Sequence, residues 1–164
     1  MKFRTFVTLA LFATGAAQAQ LKPPAATGAS PAVPSAPGAQ SPAPKSPLIE
    51  AKEAAAAQNA EAWLKLLDSG DYGKAWDQCG KLFRDRVTRQ QWVDGLPKDR
   101  AALGKLNSRK LEGIAYRTSM PGAPEGEYVM TRFFAEYEKN PKVEEIVSLM
   151  YVDGAWKPIG YGTR

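Results

Sequence analysis

The chain contains no histidine and a single cysteine among its 164 residues. Histidine most often performs acid–base catalysis near neutral pH, and it most often binds transition metals. Zinc, haem and copper sites need histidine or several cysteines, so we expect no metal and no other cofactor. The lone Cys79 also excludes a disulfide within the chain.

The first 19 residues have the pattern of a cleavable secretory signal. Lys2 and Arg4 precede an apolar run at 6–17, which ends in the small-x-small sequence Ala17-Gln18-Ala19. A membrane-spanning helix needs ~20 apolar residues, so this run is too short to be one. We expect cleavage after Ala19, a periplasmic or secreted protein, and no membrane span in the mature chain.

Charge gives little indication of a partner. Cleavage after Ala19 removes two basic residues and leaves 20 against 17 acidic ones, a net charge of +3. A nucleic-acid-binding domain usually carries a clustered, much stronger basic charge. We therefore expect no nucleic acid as a partner.

Residues 20–46 differ sharply in composition from the rest of the chain. Eight of the thirteen prolines fall between Pro23 and Pro47, among Ala, Ser and Gly. Such a segment buries too little apolar surface to offset the entropy of ordering it. It is predicted to be a disordered Pro/Ala-rich linker that serves as a spacer, with a recognition motif as the alternative.

The predicted folded domain, 47–164, begins with three helices. Ser46-Pro47 is typical of a helix start, and 88–91 has a capping-box pattern. Pro97 is expected to break or kink the third helix, and Gly104 to end it. The helical spacing of apolar residues defines the first two helices: Ile49, Ala56, Ala60, Trp63 and Leu67, then Tyr72, Ala75, Trp76, Cys79 and Phe83.

Four strands are predicted after Gly104, at 106–120, 127–138, 142–152 and 155–161. Asp153-Gly154 is a strong signal for a tight hairpin between the last two strands. Helices followed by consecutive hairpin-linked strands indicate an α+β fold with an antiparallel sheet. The expected order is α-α-α-β-β-β-β.

Several of these residues resemble a family of small exported bacterial proteins known only as a domain of unknown function. The resemblance covers 52–164, and this chain departs from the family pattern at Gly80, Pro97 and Gly162. It implies a fold similar to the cystatin-like cone of the nuclear-transport-factor-two superfamily, in which a curved sheet wraps the helices and often leaves a pocket. The motifs that carry it are Trp63-Leu64, Gly70-Asp71-Tyr72, Trp76, Phe83, Gln91-Trp92, Arg100, Leu103-Gly104, Ser108-Arg109-Lys110, the turn from Met120 to Tyr128, Gly154 with Trp156, and Gly160-Tyr161.

Five residues are candidates to line such a pocket: Trp63, Trp76, Tyr116, Tyr128 and Arg132. The alternative is that the aromatic ones belong to the core or to a pocket wall. Asp77 and Glu112 are conceivable acids for a cofactor-free isomerase or dehydratase, but the spacing selects no acid, base and oxyanion donor together, and no catalytic residue is assigned.

Two further features have alternative interpretations. Cys79 is expected to be a buried, inert residue on the apolar face of the second helix. A set of basic residues is expected to be a solvated surface, with weak adhesion to anionic envelope polymers as the alternative; the set is Arg84, Arg86, Arg89, Lys105, Arg109 and Lys110.

The sequence therefore predicts an exported, non-enzymatic binding or scaffold domain that uses the cone pocket or the sheet face. The open sheet also offers a face on which two copies can pair as a homodimer. The alternatives are a cofactor-free pocket enzyme and an envelope-associated structural protein.

Overall fold

A computed structural model describes residues 45–164 of the chain. The predicted signal, 1–19, and nearly all of the predicted linker, 20–46, lie outside the described residues. Four helices come first and four strands follow: α1 (Pro47–Asp68), α2 (Tyr72–Asp77), α3 (Lys81–Arg84), α4 (Arg89–Leu103), β1 (Leu106–Arg117), β2 (Tyr128–Tyr137), β3 (Val143–Val152) and β4 (Ala155–Thr163).

The four strands form one open antiparallel sheet in the order β1-β2-β3-β4. This confirms the predicted α+β fold and the hairpin connections. Side chains alternate along β2, with Val129 to Tyr137 buried at every second position and Met130 to Glu136 exposed between them. The sheet therefore has an inner face, against which the helices pack, and an outer face.

Helix α1 begins and packs as its sequence predicts. The Ser46 hydroxyl accepts a hydrogen bond from the Ile49 backbone N–H at 3.4 Å, and Pro47 occupies the first turn. The alanines on its buried side allow the helix backbone to approach the sheet closely. The larger side chains of Trp63, Leu64 and Leu67 fill the core further along the helix. The buried side consists of Ala56, Ala60, Trp63, Leu64 and Leu67.

The stretch predicted as one second helix forms two short helices, so the domain has four helices rather than three. The break lies at Gly80, whose backbone N–H donates to the Pro158 carbonyl of β4 at 2.7 Å. A Cβ atom on Gly80 would lie only 3.0 Å from Ile159. The spacing of apolar residues continues from Tyr72 to Phe83, but the hydrogen bond from Gly80 to β4 interrupts the helix there.

Helix α4 is not broken at Pro97 but continues through it to Leu103. An internal proline removes one backbone hydrogen bond and costs about 3 kcal/mol. Both ends of α4 are held firmly: Thr88 and Gln91 form a capping box, and the buried side chain of Arg100 is tied to the sheet. These contacts offset the cost of Pro97 and keep the helix intact.

Four aromatic rings fill the space between the helices and the sheet. Trp92 of α4 lies 5.0 Å from Phe83 and 6.0 Å from Trp63, measured between ring centroids. Tyr161 of β4 packs edge-on against Trp63 at 5.5 Å. Such pairs contribute about 0.5–1.5 kcal/mol each beyond their buried area. The interior next to β4 is therefore solidly packed.

Cys79 is 3% exposed, and its thiol donates to the Ala75 carbonyl at 3.3 Å. Burial raises the pKa of the thiol to about 12, so almost no thiolate exists at neutral pH. We expect an aromatic disulfide reagent to leave Cys79 unmodified in native buffer and to react with one thiol per chain in urea. Reaction in native buffer at the rate of free cysteine would contradict the burial.

Candidate functional site

The structure does not bring the five predicted pocket residues together. Trp63 is buried in the core and its indole N–H donates to the Ala75 carbonyl at 2.8 Å. The Trp76 indole N–H donates to the Val87 carbonyl, also at 2.8 Å, with the Arg84 guanidinium 5.8 Å from the ring centroid. Both tryptophans connect the helices to one another.

The other three residues lie on the sheet. Tyr116 is on the inner face, where its hydroxyl donates to Glu127 at 3.0 Å. Tyr128 is completely buried and its hydroxyl donates to the Pro124 carbonyl in the β1–β2 turn. Arg132 is half-exposed on the outer face, 3.7 Å from Glu144. Residues on opposite faces of one sheet do not line a common pocket.

A different set of residues meets on the inner face, centred on the fully buried carboxylate of Glu145 in β3. One of its oxygens accepts hydrogen bonds from the hydroxyls of Tyr137 and Tyr161, each at 2.8 Å, and from Arg100 at 3.4 Å. The other accepts from Arg109 at 2.5 Å. Helix α4 and all four strands thus each contribute one side chain to this buried cluster.

Asp68, at the end of α1, completes this cluster. It accepts two hydrogen bonds from the Arg109 guanidinium, at 2.6 and 2.9 Å, and pairs with Arg100 as well. Two cations therefore face two anions, and the charges balance. We call this set the buried ion-pair network: Asp68, Arg100, Arg109 and Glu145, with the hydroxyls of Tyr137 and Tyr161.

The surroundings of the network fix its protonation. Burial and the nearby Glu145 carboxylate raise the pKa of Tyr137 to about 12, and they raise that of Tyr161 further. Burial by itself lowers the pKa of Arg109, but its bonds to Asp68 and Glu145 more than compensate, so the pKa is raised. An acid–base catalyst needs a pKa near the working pH. The pKa values of these three groups are moved away from neutral pH, and the network suits holding a fold rather than moving protons.

Sequence reasoning missed this network and misplaced one of its members. Arg109 was expected on a solvated basic surface, but its side chain is only 11% exposed. The signal was present in β3, where Glu145 lies on the same inward-facing side of the strand as Val143, Val147 and Leu149. An acid in an apolar stripe requires a buried cationic partner, although the stripe does not identify it.

The remaining arginines of the expected basic surface each contact a different neighbour. Arg84 lies over Trp76, Arg86 donates to the Gly122 carbonyl at 3.2 Å, and Arg89 pairs with Asp77 at 3.2 Å.

The outer face of the sheet carries exposed apolar side chains. Met130 and Phe134 of β2 are 42% and 37% exposed, with the partly exposed Ile146 beside them. On β3 and β4 the same face carries three residues with small side chains or none, so the surface there lies below that of β2. They are Ser148, Gly160 and Gly162. We call Met130, Arg132, Phe134 and Ile146 the outer-face ridge, and the three small residues the outer-face floor.

Three ion pairs border the outer-face ridge. Glu144 lies 2.7 Å from Arg164 and 3.7 Å from Arg132, and Lys110 lies 2.9 Å from Glu112. Two shallow depressions of about 350 and 340 Å³ lie next to the ridge, and Arg132 lines both. Among residues 45–164 there is no group of three or more metal-ligating side chains arranged to hold an ion.

Comparison with known families decides where the domain belongs. The profile of DUF4019, a family described as proteins of unknown function, matches residues 59–161. The chain belongs to the DUF4019 family. All six residues of the buried ion-pair network lie within the matched DUF4019 region, whereas the first three turns of α1 precede it. No curated protein matches the chain. No helix within 45–164 has the length and apolarity to span a bilayer.

We expect Glu145→Gln to destabilise the protein by about 3–5 kcal/mol, because it leaves a buried arginine charge uncompensated. Glu136→Gln is the matched control: it changes an exposed carboxylate on the outer face of β2, where exposed polar contacts contribute about 0–1 kcal/mol. The measurement is urea denaturation of both variants at pH 7. Equal losses in the two variants would contradict the role given to the network.

We also expect the protein to lose stability as the pH rises above about 9. In the unfolded chain, Cys79 and Tyr137 ionise near their ordinary values of 9.0 and 10.0, whereas in the folded chain both titrate at about 12. The native state therefore binds more protons in this range, and each such group lowers the free energy of unfolding by about 1.4 kcal/mol per pH unit. Urea denaturation between pH 8 and pH 11 measures this slope, and a flat profile would contradict it.

Proposed function

We propose that this DUF4019 chain is an exported, non-enzymatic scaffold domain that forms a homodimer through the outer face of its sheet. The observation that carries the proposal is the exposure of Met130 and Phe134 on a sheet face that the described helices leave uncovered. The export part rests on the N-terminal pattern of Lys2, Arg4 and Ala17-Gln18-Ala19.

An antiparallel sheet with one solvated face normally presents polar side chains there. Here the centre of that face carries methionine, phenylalanine and isoleucine around Arg132. Methionine, aromatic residues and arginine are the types enriched in protein interfaces. Met130 and Phe134 are also two of only four large hydrophobic residues exposed within 45–164.

The shape and charge of this face favour a second copy as the occupant. In a two-fold dimer the same patch meets itself. With the axis parallel to the strands and passing over β3, β2 of one copy lies over β4 of the other, so that Met130 and Arg132 lie over Gly160 and Gly162. Arg132 lies 3.7 Å from Glu144 of its own copy, so the arginine on this face already has a partner for its charge.

The packing of the inner face supports a role without catalysis. The aromatic cluster and the buried ion-pair network occupy the space between α1, α4 and the sheet. We extend the proposal to a cystatin-like cone whose central pocket is filled, since α1 crosses the inner face of a single open antiparallel sheet. The pocket enzyme and the contact with anionic envelope polymers stay predictions.

We expect sedimentation equilibrium to give twice the mass of one chain. Phe134→Lys should return the mass to that of one chain, because it replaces an apolar ring of the contact by a charge whose burial is unfavourable. Leu48→Lys is the matched control, since Leu48 is also exposed and apolar but lies on α1. Urea denaturation of both variants verifies that they are folded. A monomeric wild-type protein, or equal dissociation by both substitutions, would contradict the proposal.

A further inference from the structure

The open sheet ends in two edge strands within 45–164, β1 on one side and β4 on the other. An edge strand presents unpaired backbone N–H and C=O groups, which can pair with a strand of another chain. We infer that Glu53 of α1 blocks the β1 edge and so prevents β1 of a second copy from pairing there. This inference does not depend on the proposed dimer, which uses the outer face of the sheet.

The β1 edge is closed at Tyr116. The Tyr116 backbone N–H donates to a carboxylate oxygen of Glu53 at 2.9 Å, and the Tyr116 carbonyl accepts from the Arg117 guanidinium at 3.0 Å. In an antiparallel sheet the N–H and C=O of one residue point to the same side of the strand. Because the N–H of Tyr116 meets α1 rather than β2, both groups point away from β2. Side chains therefore occupy both positions that an added strand would use at this residue.

Glu53 reaches this edge from the buried side of α1. It is 5% exposed and lies one helical turn before Ala57, which is also buried. A buried carboxylate is unfavourable unless it is paired and hydrogen-bonded. Lys45 supplies the opposite charge at 2.6 Å, and Tyr116 supplies the backbone donor. An apolar side chain would cover the same part of the sheet without needing these partners, so the carboxylate indicates a role at the strand edge.

A second set of contacts keeps α1 over the β1 edge. Lys52, next to Glu53 on α1, pairs with Glu127, which also accepts a hydrogen bond from the Tyr116 hydroxyl at 3.0 Å. The Lys52 ammonium lies 5.4 Å from the centroid of the Tyr116 ring. The backbone of Tyr116 is thus bound to α1 directly, and its side chain is bound to α1 through Glu127.

The β4 edge is closed in a different way, at Pro158. Proline has no backbone N–H to donate to an added strand. The Pro158 carbonyl accepts a hydrogen bond from the Gly80 backbone N–H at 2.7 Å. Each edge of the sheet therefore has a position where neither backbone group is available to another chain. Natural sheets commonly protect their edges from association in this manner.

Without the contact from Glu53, β1 would offer a regular stretch for pairing. Its register with β2 is irregular between Leu106 and Ser108 and again between Leu111 and Gly113. Irregularities of this kind interrupt strand pairing, so the first half of β1 is a poor edge. The longest regular stretch is 113–117, and strands of about 3–10 residues are usual in proteins. Glu53 therefore blocks the part of β1 that is best suited to accept a strand.

The same stretch of a second copy is a suitable partner for it. Antiparallel pairing about Ala115 would place Ile114 of each copy opposite Tyr116 of the other, so that the contact is two-fold. Ile114 is two residues from Tyr116 in the regular stretch, so its backbone groups point to the same side. Arg117 would lie opposite Gly113, so like charges would not meet. Isoleucine and tyrosine are also favoured in strands.

The experiment compares Glu53→Met with Glu53→Gln in a Phe134→Lys background, which removes the outer face from use. Glutamine keeps an oxygen that accepts from the Tyr116 N–H, whereas methionine is of similar length and has only a weak sulfur acceptor. Both substitutions remove the charge that pairs with Lys45, so this loss is matched. Sedimentation equilibrium should give the mass of one chain for Glu53→Gln. For Glu53→Met the mass should rise toward that of two chains with increasing concentration.

Hydrogen exchange at the Tyr116 amide, followed by NMR, shows whether the edge has been opened. At low protein concentration this amide should exchange about tenfold faster in Glu53→Met than in Glu53→Gln. It should regain protection in Glu53→Met as the mass rises. Urea denaturation verifies that both variants are folded, and Glu53→Ala takes the place of Glu53→Met if the latter does not fold.

Two results would contradict the inference. Equal masses for the two variants, with the Tyr116 amide open in Glu53→Met, would show that a free β1 edge does not bind a second copy. Equal protection of the Tyr116 amide in both variants would show that Glu53 does not hold this group. The mass of the Phe134→Lys background, measured alone, tests the proposed dimer separately, because both Glu53 variants carry the same background.

Discussion

Glu145 is a fully buried carboxylate on the inner face of the sheet, and the arrangement of the helices depends on how it is neutralised. Arg109 of β1 and Arg100 of α4 approach it from either side, and Asp68 of α1 binds both arginines. An unpaired charge in this position would cost several kcal/mol. A shift of α1 or α4 along the sheet would leave one of these buried charges unpaired. The network therefore favours one position of the two helices on the sheet.

The network lies on the inner face of the sheet, away from the surfaces that are exposed to other proteins. It lies between α1, α4 and the sheet, and the Trp63–Trp92–Tyr161 cluster also packs between the helices and the sheet. The large exposed apolar side chains of 45–164 lie instead on outer surfaces: Met130 and Phe134 on the outer face of the sheet, Leu48 on α1 and Tyr151 on β3.

Tertiary contacts also account for the most distinctive local sequence, the turn at 121–126. The Tyr128 hydroxyl donates to the Pro124 carbonyl, and Arg86 donates to the Gly122 carbonyl at 3.2 Å. Gly126 allows the chain to pass close to Met150, which a Cβ atom would approach to 2.9 Å. The turn thereby packs against Tyr128 at one end of the sheet.

The sequence by itself determined the features that depend on neighbouring residues. Caps at Ser46 and Thr88, alternation along β2, and the hairpin at Asp153-Gly154 were all readable locally. The hairpin has positive φ at both residues, 52° and 78°, as a tight turn of this kind requires. These signals were sufficient for the α+β class and the order of strands.

Only the tertiary structure decided the features that depend on residues far apart in the chain. The helix break at Gly80 comes from a bond to Pro158, and α4 continues through Pro97 while Arg100 holds it to the sheet. The partners Asp68 and Arg109 are 41 residues apart, and Arg100 and Glu145 are 45 apart. Local periodicity reports which side of a strand or helix is buried. It carries no information about which distant charge will meet it there, because that depends on how the elements pack.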